Sequence, residues 1–532
     1  MKLRILFSLL IGLITVTTSP LAKATDLAFG SIAELQAAMT SGAETSQSIT
    51  KAYLARIKAL DRKGPRLNSI LALNPHALAD ARALDAERKA GKVRGPLHGV
   101  PILLKDNIDS ADDTATTAGS LALAGNITNR DAPLVKRLTD AGAVILGKTN
   151  LSQWANYRST RSISGWSSVG GLVRNPYGLD RSACGSSAGT GAAIAAGFAG
   201  GGIGTETDGS IVCPAAINGL VGLKPTVGLV SRTHIIPISA SQDTAGPMTR
   251  YVADAAAMLT AIAGSDPEDP ATVDADAHKV DYIKALDPSA LKGARLGILR
   301  ITAGRSPQAD AVFEQAVAIL KAAGAELIEM KAPELEPIGA AEQIILRTEF
   351  KAGVNAYLAS TDPTKVRTRT LADLIAFNAA EPRELALFGQ ELFLASEAGG
   401  GVDDPVYLKA KEDAVRLAGT EGIDRLLREY NLTALIGWSG PSGIVDPING
   451  TPFSSPPSTL SAVSGYPHLT VPMGYVSGLP VGLSFMGSAW SEARLLSLGY
   501  AFEQAAKVRI SPTFPSSVAE RPEIAAAYDL LN

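Results

Sequence analysis

The segment SIAELQAAMTSGAETSQSITKAYLARIKALD (31–61) spaces its apolar residues at a helical period on both sides of a Ser-Gly break, which predicts two short helices. A further helix is expected over 77–89. GVPILLKDN (99–107) differs: a short continuous apolar run follows a glycine and ends in polar residues, the mark of a buried strand. Residues 132–140 read as a helix and AVIL (143–146) as a second strand. The small residues of 185–198 suit a tightly packed buried helix. RLGILR (295–300) predicts a strand, 309–323 a helix and AELIEM (325–330) the next strand. Residues 336–430 read as mainly helical, broken at EAGGGVDDP (397–405). TALIGW (433–438), HLTVPMG (468–474) and GLPVGLSFMG (478–487) read as strands before a helix at 490–507.

Strands and helices alternate, and several strands are continuous apolar runs. Both features predict an α/β fold, a sheet covered by helices on its two faces. No repeat, low-complexity tract or long linker divides residues 25–532, so one large α/β/α domain is expected there. The first 24 residues read differently. Lys2 and Arg4 precede the apolar run 5–16, and Ala22-Lys23-Ala24 has the small-x-small form of a cleavage site, so residues 1–24 are expected to be a signal peptide. The mature chain would be exported, periplasmic or secreted, with no membrane contact after cleavage.

With 532 residues, 46% of them hydrophobic, the chain can bury a large core. Its net charge of −3 offers no polyanion surface, so no nucleic-acid partner is expected. Two cysteines and five histidines at scattered positions form no metal-ligand spacing, and no metal is expected. Cys184 and Cys213 are left open as thiols or a disulfide. A monomer is the simplest assembly.

Three patterns carry candidate chemistry. GAVILGKT (142–149) matches the letters of a phosphate-binding loop, yet its four variable residues are themselves the strand, where a phosphate cradle needs exposed loop N–H groups. ATP is not expected there. Ser187 centres G-x-S-x-G in CGSSAG (184–189), the letters of an α/β-hydrolase elbow, with His234, His278 and His468 downstream. The preceding RNPYGLDRSAC is not the apolar strand that an elbow requires. The third is the set Lys105, Ser186 and Ser210. A serine attacks only when a base takes its proton, and a lysine serves as that base only when neutral. Bringing a lysine from about 10.4 to the useful range of about 7–8 takes burial, and Lys105 ends the apolar run VPILL. On the residues alone, a lysine at a strand end is more often structural. Ser210 closes TETDGS, where Gly209 permits a tight turn that aims successive N–H groups inward.

Taken together, GVPILLKDN, GKTNLSQWA (147–155), RNPYGLDRSACGSSAGT (174–190), GTETDGSIVCPAAINGLVGLKPT (204–226), DTAGPM (243–248) and YPHLTVPMGYVSGLPVGLSFMG (466–487) resemble the amidase signature family over nearly the whole mature chain. The resemblance implies that family's fold, a large domain around a mixed, twisted sheet, and an amide hydrolase that needs no cofactor. It implies Ser210 as nucleophile, Ser186 as proton relay beside a cis peptide bond after Gly185, and Lys105 as base. The backbone N–H groups of Thr207, Asp208, Gly209 and Ser210 would form the oxyanion hole, with Gly185, Ser187, Thr205 and Glu206 in support.

Cys184 before Gly185, and Asp208 where many members carry glycine, depart from the commoner pattern. CGSS and LSQWANYRS look most like peptide amidases, which remove the C-terminal amide of a peptide; a broad small-amide amidase or aryl acylamidase is the alternative. Glutamyl-tRNA amidotransferase activity, also found on this fold, conflicts with a signal peptide. A binding protein that has lost catalysis conflicts with the intact Lys105, Ser186 and Ser210. Trp438, Phe388, Phe393 and Ile444 are candidate pocket walls, and Asp208 and Trp154 candidate substrate contacts.

Overall fold

A computed structural model describes residues 27–301, 306–439, 443, 457–522 and 524–525. The expected signal peptide and Ile444 lie outside these. Eleven strands form one mixed sheet: β1 Ile70–Leu73, β2 Pro101–Lys105, β3 Val144–Thr149, β4 Gly201–Glu206, β5 Val221–Lys224, β6 Thr244–Thr249, β7 Arg295–Leu299, β8 Glu326–Met330, β9 Ala434–Ser439, β10 His468–Val476 and β11 Leu479–Met486. Their order across the sheet is β1-β3-β2-β4-β6-β5-β10-β11-β9-β7-β8. The pairs β3/β2, β2/β4, β11's neighbour β9 with β7, and β7/β8 are parallel. The remaining pairs are antiparallel.

The apolar runs became central strands because both faces are covered. Ile102, Leu103 and Leu104 of β2 and Leu146 of β3 are fully buried. The helices Ile32–Thr40 and Ser46–Leu60 start at Ser31 and Thr45, each with a reciprocal capping box. The helix expected over 77–89 spans Ala77–Lys89. Residues 336–430 are mainly helical, led by Glu336–Ala359, and no helix lies across 399–404. Among the described residues no helix is long and apolar enough to cross a membrane.

Strand β4, which lies inside the sheet between β2 and β6, was not anticipated, because GGIGTE has little of the β-branched character of a strand. Its glycines are required by packing on both faces. A Cβ on Gly201 would stand 2.5 Å from Met258 Sδ, and one on Gly202 would stand 2.7 Å from Thr190 Cγ2. The helices Ala188–Ala195 and Val252–Ile262 therefore sit directly against the strand. Strands β2 and β4 run parallel, with Ile102 beside Gly201 and Leu104 beside Ile203. Their carboxyl ends, Lys105 and Glu206, thus reach the same edge. Strand β6 is antiparallel to β4 and begins with Thr244 opposite Glu206, so Asp243 joins that edge too.

Candidate active site

Lys105 is fully buried, and its ammonium nitrogen is 2.7 Å from Ser186 Oγ. The same nitrogen donates to Thr205 Oγ1 at 2.8 Å and to the Thr205 carbonyl at 3.2 Å. Burial drives the lysine down to about 7, against the pull of the Asp243 and Glu206 carboxylates, which favour its cation. Asn107, two residues on, donates to the same Thr205 hydroxyl at 3.0 Å. The strand's apolar residues therefore supply the desolvation and Thr205 supplies the aim.

The peptide bond between Gly185 and Ser186 is cis. The Ser186 carbonyl accepts from the Ser152 N–H at 3.0 Å. Gly185 is hemmed in: a Cβ there would lie 2.1 Å from Ser152 Oγ. Ser187, despite centring G-x-S-x-G, is committed to the frame. It is fully buried, its Oγ donates to the Thr205 carbonyl at 3.1 Å, and it accepts from the Thr205 N–H at 3.3 Å.

The chain turns sharply after β4. Gly209 has φ +78°, and its carbonyl accepts from the Cys213 N–H at 2.8 Å. Glu206 Oε2 accepts from the N–H groups of Ile211 and Val212 at 2.7 and 2.9 Å, which ties the turn back to the strand. The Ser210 carbonyl accepts from the Ser187 N–H at 3.2 Å, so the two serine segments are bonded through their backbones. Among the described residues, neither the Ser210 hydroxyl nor the N–H groups of Thr207, Asp208, Gly209 and Ser210 have a hydrogen-bond partner. Four successive free N–H groups beside a free hydroxyl can hold a developing oxyanion next to a nucleophile.

Cys184 and Cys213 form a disulfide with their Cα atoms 6.1 Å apart, which closes the question left open by the sequence. A cavity of about 560 Å³ adjoins the turn; Asn107, Thr205, Thr207 and Asp243 form its floor. Its walls come from residues 235–240 and from Ala352, Gly353 and Ala356 of the helix Glu336–Ala359. A volume of this size suits a ligand larger than a simple amide.

The expected pocket walls lie elsewhere. Phe393 and Trp154 are buried edge to face, 5.8 Å apart, and Phe388 packs on Trp166 at 5.3 Å. Trp438 is buried in the main core. These rings are large and apolar, and closing the core claims them. Asp208 does not face the cavity either: its carboxylate accepts from the Ser458 and Thr459 hydroxyls. Asp243 was missed. It lies in the DTAGPM stretch, and the clue available was an acidic residue opening a strand beside the turn at 207–210.

The rejected patterns are structural. Lys148 is buried and donates to the Ile108 carbonyl and to Thr116 Oγ1, so it cannot serve a phosphate. His468 is buried and pushed down to about 3 by burial and the charge of Lys224. His278 stacks on Trp490, and His234 lies in the cavity wall. Among the described residues no cluster of three acidic, histidine or cysteine side chains could hold a metal.

The amidase family model matches residues 48–496. The chain belongs to the amidase family. An Arabidopsis thaliana relative described as a probable amidase is 39% identical over 495 residues, covering 91% of each chain. The crystal structure of the native peptide amidase from Stenotrophomonas maltophilia is 52% identical, with a TM-score of 0.85 over 91% of this amidase and 98% of that chain. A structure of the peptide amidase PAM with the competitive inhibitor chymostatin is likewise 52% identical, with a TM-score of 0.86 and the same coverage. This amidase is thus an amide C–N hydrolase, with the family's fold.

Proposed function

We propose that this amidase hydrolyses the C-terminal amide of peptides to the free acid and ammonia, through a Ser210–Ser186–Lys105 relay and an acyl-enzyme. The observation that carries the chemistry is the buried Lys105 amine 2.7 Å from Ser186 Oγ, with its pKa brought to about 7. In the neutral amine, two N–H bonds serve Thr205 O and Oγ1, and the lone pair is left for the Ser186 proton. Ser186 in turn takes the proton of Ser210 as Ser210 Oγ attacks the amide carbon. The carbonyl oxygen gathers charge and settles on the free N–H groups of 207–210, the interaction that strengthens most toward the transition state. Ser186 passes its proton to the leaving nitrogen as the C–N bond breaks and takes back the one held by Lys105, and ammonia departs, leaving Lys105 neutral again. Water then attacks the ester, the relay takes its proton, and Ser210 leaves with a proton restored.

The peptide reading is supported by the size of the cavity beside Thr207 and by the likeness to peptide amidases. Export is supported by the basic and apolar N-terminus and by the disulfide, a bond of oxidising compartments. The deciding experiment measures ammonia from an amidated dipeptide, an acylated anilide and a small aliphatic amide, with Ser210→Ala as control. Ammonia from the dipeptide amide, its internal bond intact, is expected. Turnover of the anilide or small amide alone would keep the serine chemistry and discard the peptide substrate.

A further inference from the structure

Asp243 is a buried carboxylate that touches both the turn at 207–210 and the cavity wall. Its Oδ1 accepts from Thr207 Oγ1 at 2.6 Å. Its Oδ2 accepts from the N–H groups of Ile238 and Ser239 at 2.7 and 2.9 Å. The second pair belongs to a local turn, closed by the Asp243 N–H donating to the Ser239 carbonyl at 2.9 Å. The first joins residues 36 positions apart in the chain. The link continues outward. Ser239 Oγ donates to Glu349 of the helix Glu336–Ala359 at 2.5 Å, and the Ser241 N–H donates to the same carboxylate oxygen at 2.9 Å. Tyr407 OH donates to its other oxygen at 2.7 Å. The far wall of the cavity is therefore fastened to the Thr207 hydroxyl through Asp243, while Gln242 Nε2 makes a separate, longer link, donating to the Thr207 carbonyl at 3.4 Å and to Glu342 Oε1 of the same helix at 2.9 Å.

We propose that Asp243 is a positioning residue for amide hydrolysis: it holds the cavity wall at 238–239 in register with Thr207, so that a peptide seated in the cavity presents its terminal carbonyl to the 207–210 N–H groups. The inference rests on the proposed serine chemistry. Binding energy gained in the cavity accelerates the reaction only if the wall and the oxyanion turn keep a fixed distance. Thr207 contributes its backbone to the turn and its hydroxyl to the tie, so the tie can be cut while the backbone N–H stays.

Thr207→Val removes the hydroxyl, Thr207→Ser keeps it, and Asp243→Asn removes the charge. Steady-state kinetics on an amidated dipeptide should show kcat lower by about 100-fold in Thr207→Val and Asp243→Asn, the order expected of a small misplacement, with KM nearly unchanged. Thr207→Ser should restore most of the rate. Asp243→Asn should also move the acid limb of kcat/KM to lower pH. The carboxylates facing Lys105 are those of Asp243 and Glu206, and Arg232 is the cation acting on Asp243. With Asp243 neutral, the Lys105 cation loses one of its two stabilising charges. A rise in KM with kcat intact, or unchanged kinetics in a folded Thr207→Val protein, would overturn the proposal. If Asp243→Asn does not fold, the Val and Ser pair at 207 still decides. Residual activity in Ser210→Ala would sink the serine reading instead, whereas a dead Ser210→Ala beside a fully active Thr207→Val sinks only this inference.

Discussion

Cys184 is bonded to Cys213, and each stands within three residues of a site serine: Cys184 two positions before Ser186, Cys213 three after Ser210. The bond closes a loop with a sequence separation of 29. Loop-closure entropy for that length amounts to about 3–4 kcal/mol. The Cys184→Ser, Cys213→Ser double variant should therefore melt several degrees below the parent under non-reducing conditions. An unchanged melting temperature would show that the backbone bonds between the two segments already suffice.

The pH dependence of the proposed relay follows from Lys105. Below about 7 the amine is protonated and cannot take the Ser186 proton. We expect kcat/KM to fall tenfold per pH unit on the acid side and to level off above neutrality. Lys105→Ala should lose at least 100- to 10,000-fold in rate, the usual worth of a positioned base. A flat profile from pH 5 to 8 would assign the base to another group.

Gly185→Ala should be damaging although only a methyl is added. The new Cβ would meet Ser152 Oγ, which accepts from the Gly165 N–H at 2.7 Å and would have to leave that bond to make way. Overpacking of this kind costs about 1–3 kcal/mol. Adding Ser152→Ala should recover part of the stability in thermal melts, since it removes the clashing atom.

Glu384 gathers the loop at 120–121, Ser168 and Gln153, and faces Arg158 in a fully buried ion pair. Glu384→Ala would strand that guanidinium, whose face stacks over Phe388 at 4.2 Å. The expected loss is about 3–5 kcal/mol in denaturant titration. Replacing Arg158 by methionine together with Glu384 by glutamine should cost less than Glu384→Ala alone, because no buried charge remains.

His468→Gln should keep full activity in ammonia release. The side chain is buried and neutral across the working range. A folded but inactive variant would reopen a histidine-based mechanism.

Much of this was legible in the residues. The run VPILL before Lys105 announced both a strand and the desolvation that its amine needs. Gly209 announced the turn, and the small residues after Gly185 announced a buried helix. Strand β4 was not legible, because its glycines are a response to helices packed on both faces, which only the assembled fold reveals. Asp243 escaped for a related reason: its partner Thr207 is 36 positions away, and nothing local to either residue predicts the contact. Aromatic side chains misled in the opposite direction. Phe388 and Phe393 look like pocket walls in a sequence and turn out to be core.

The glycines of β4 also bear on how such an enzyme can change. Methyl groups at 201 or 202 have nowhere to go, so the strand that delivers Thr205 and the proposed nucleophile turn is closed to variation. The cavity wall is built from a separate helix, where Ala352 and Ala356 border open space. New substrates can therefore be reached by enlarging or trimming that helix face while the reacting groups stay as they are, which makes one part of this chain a fixed tool and the other an exchangeable grip.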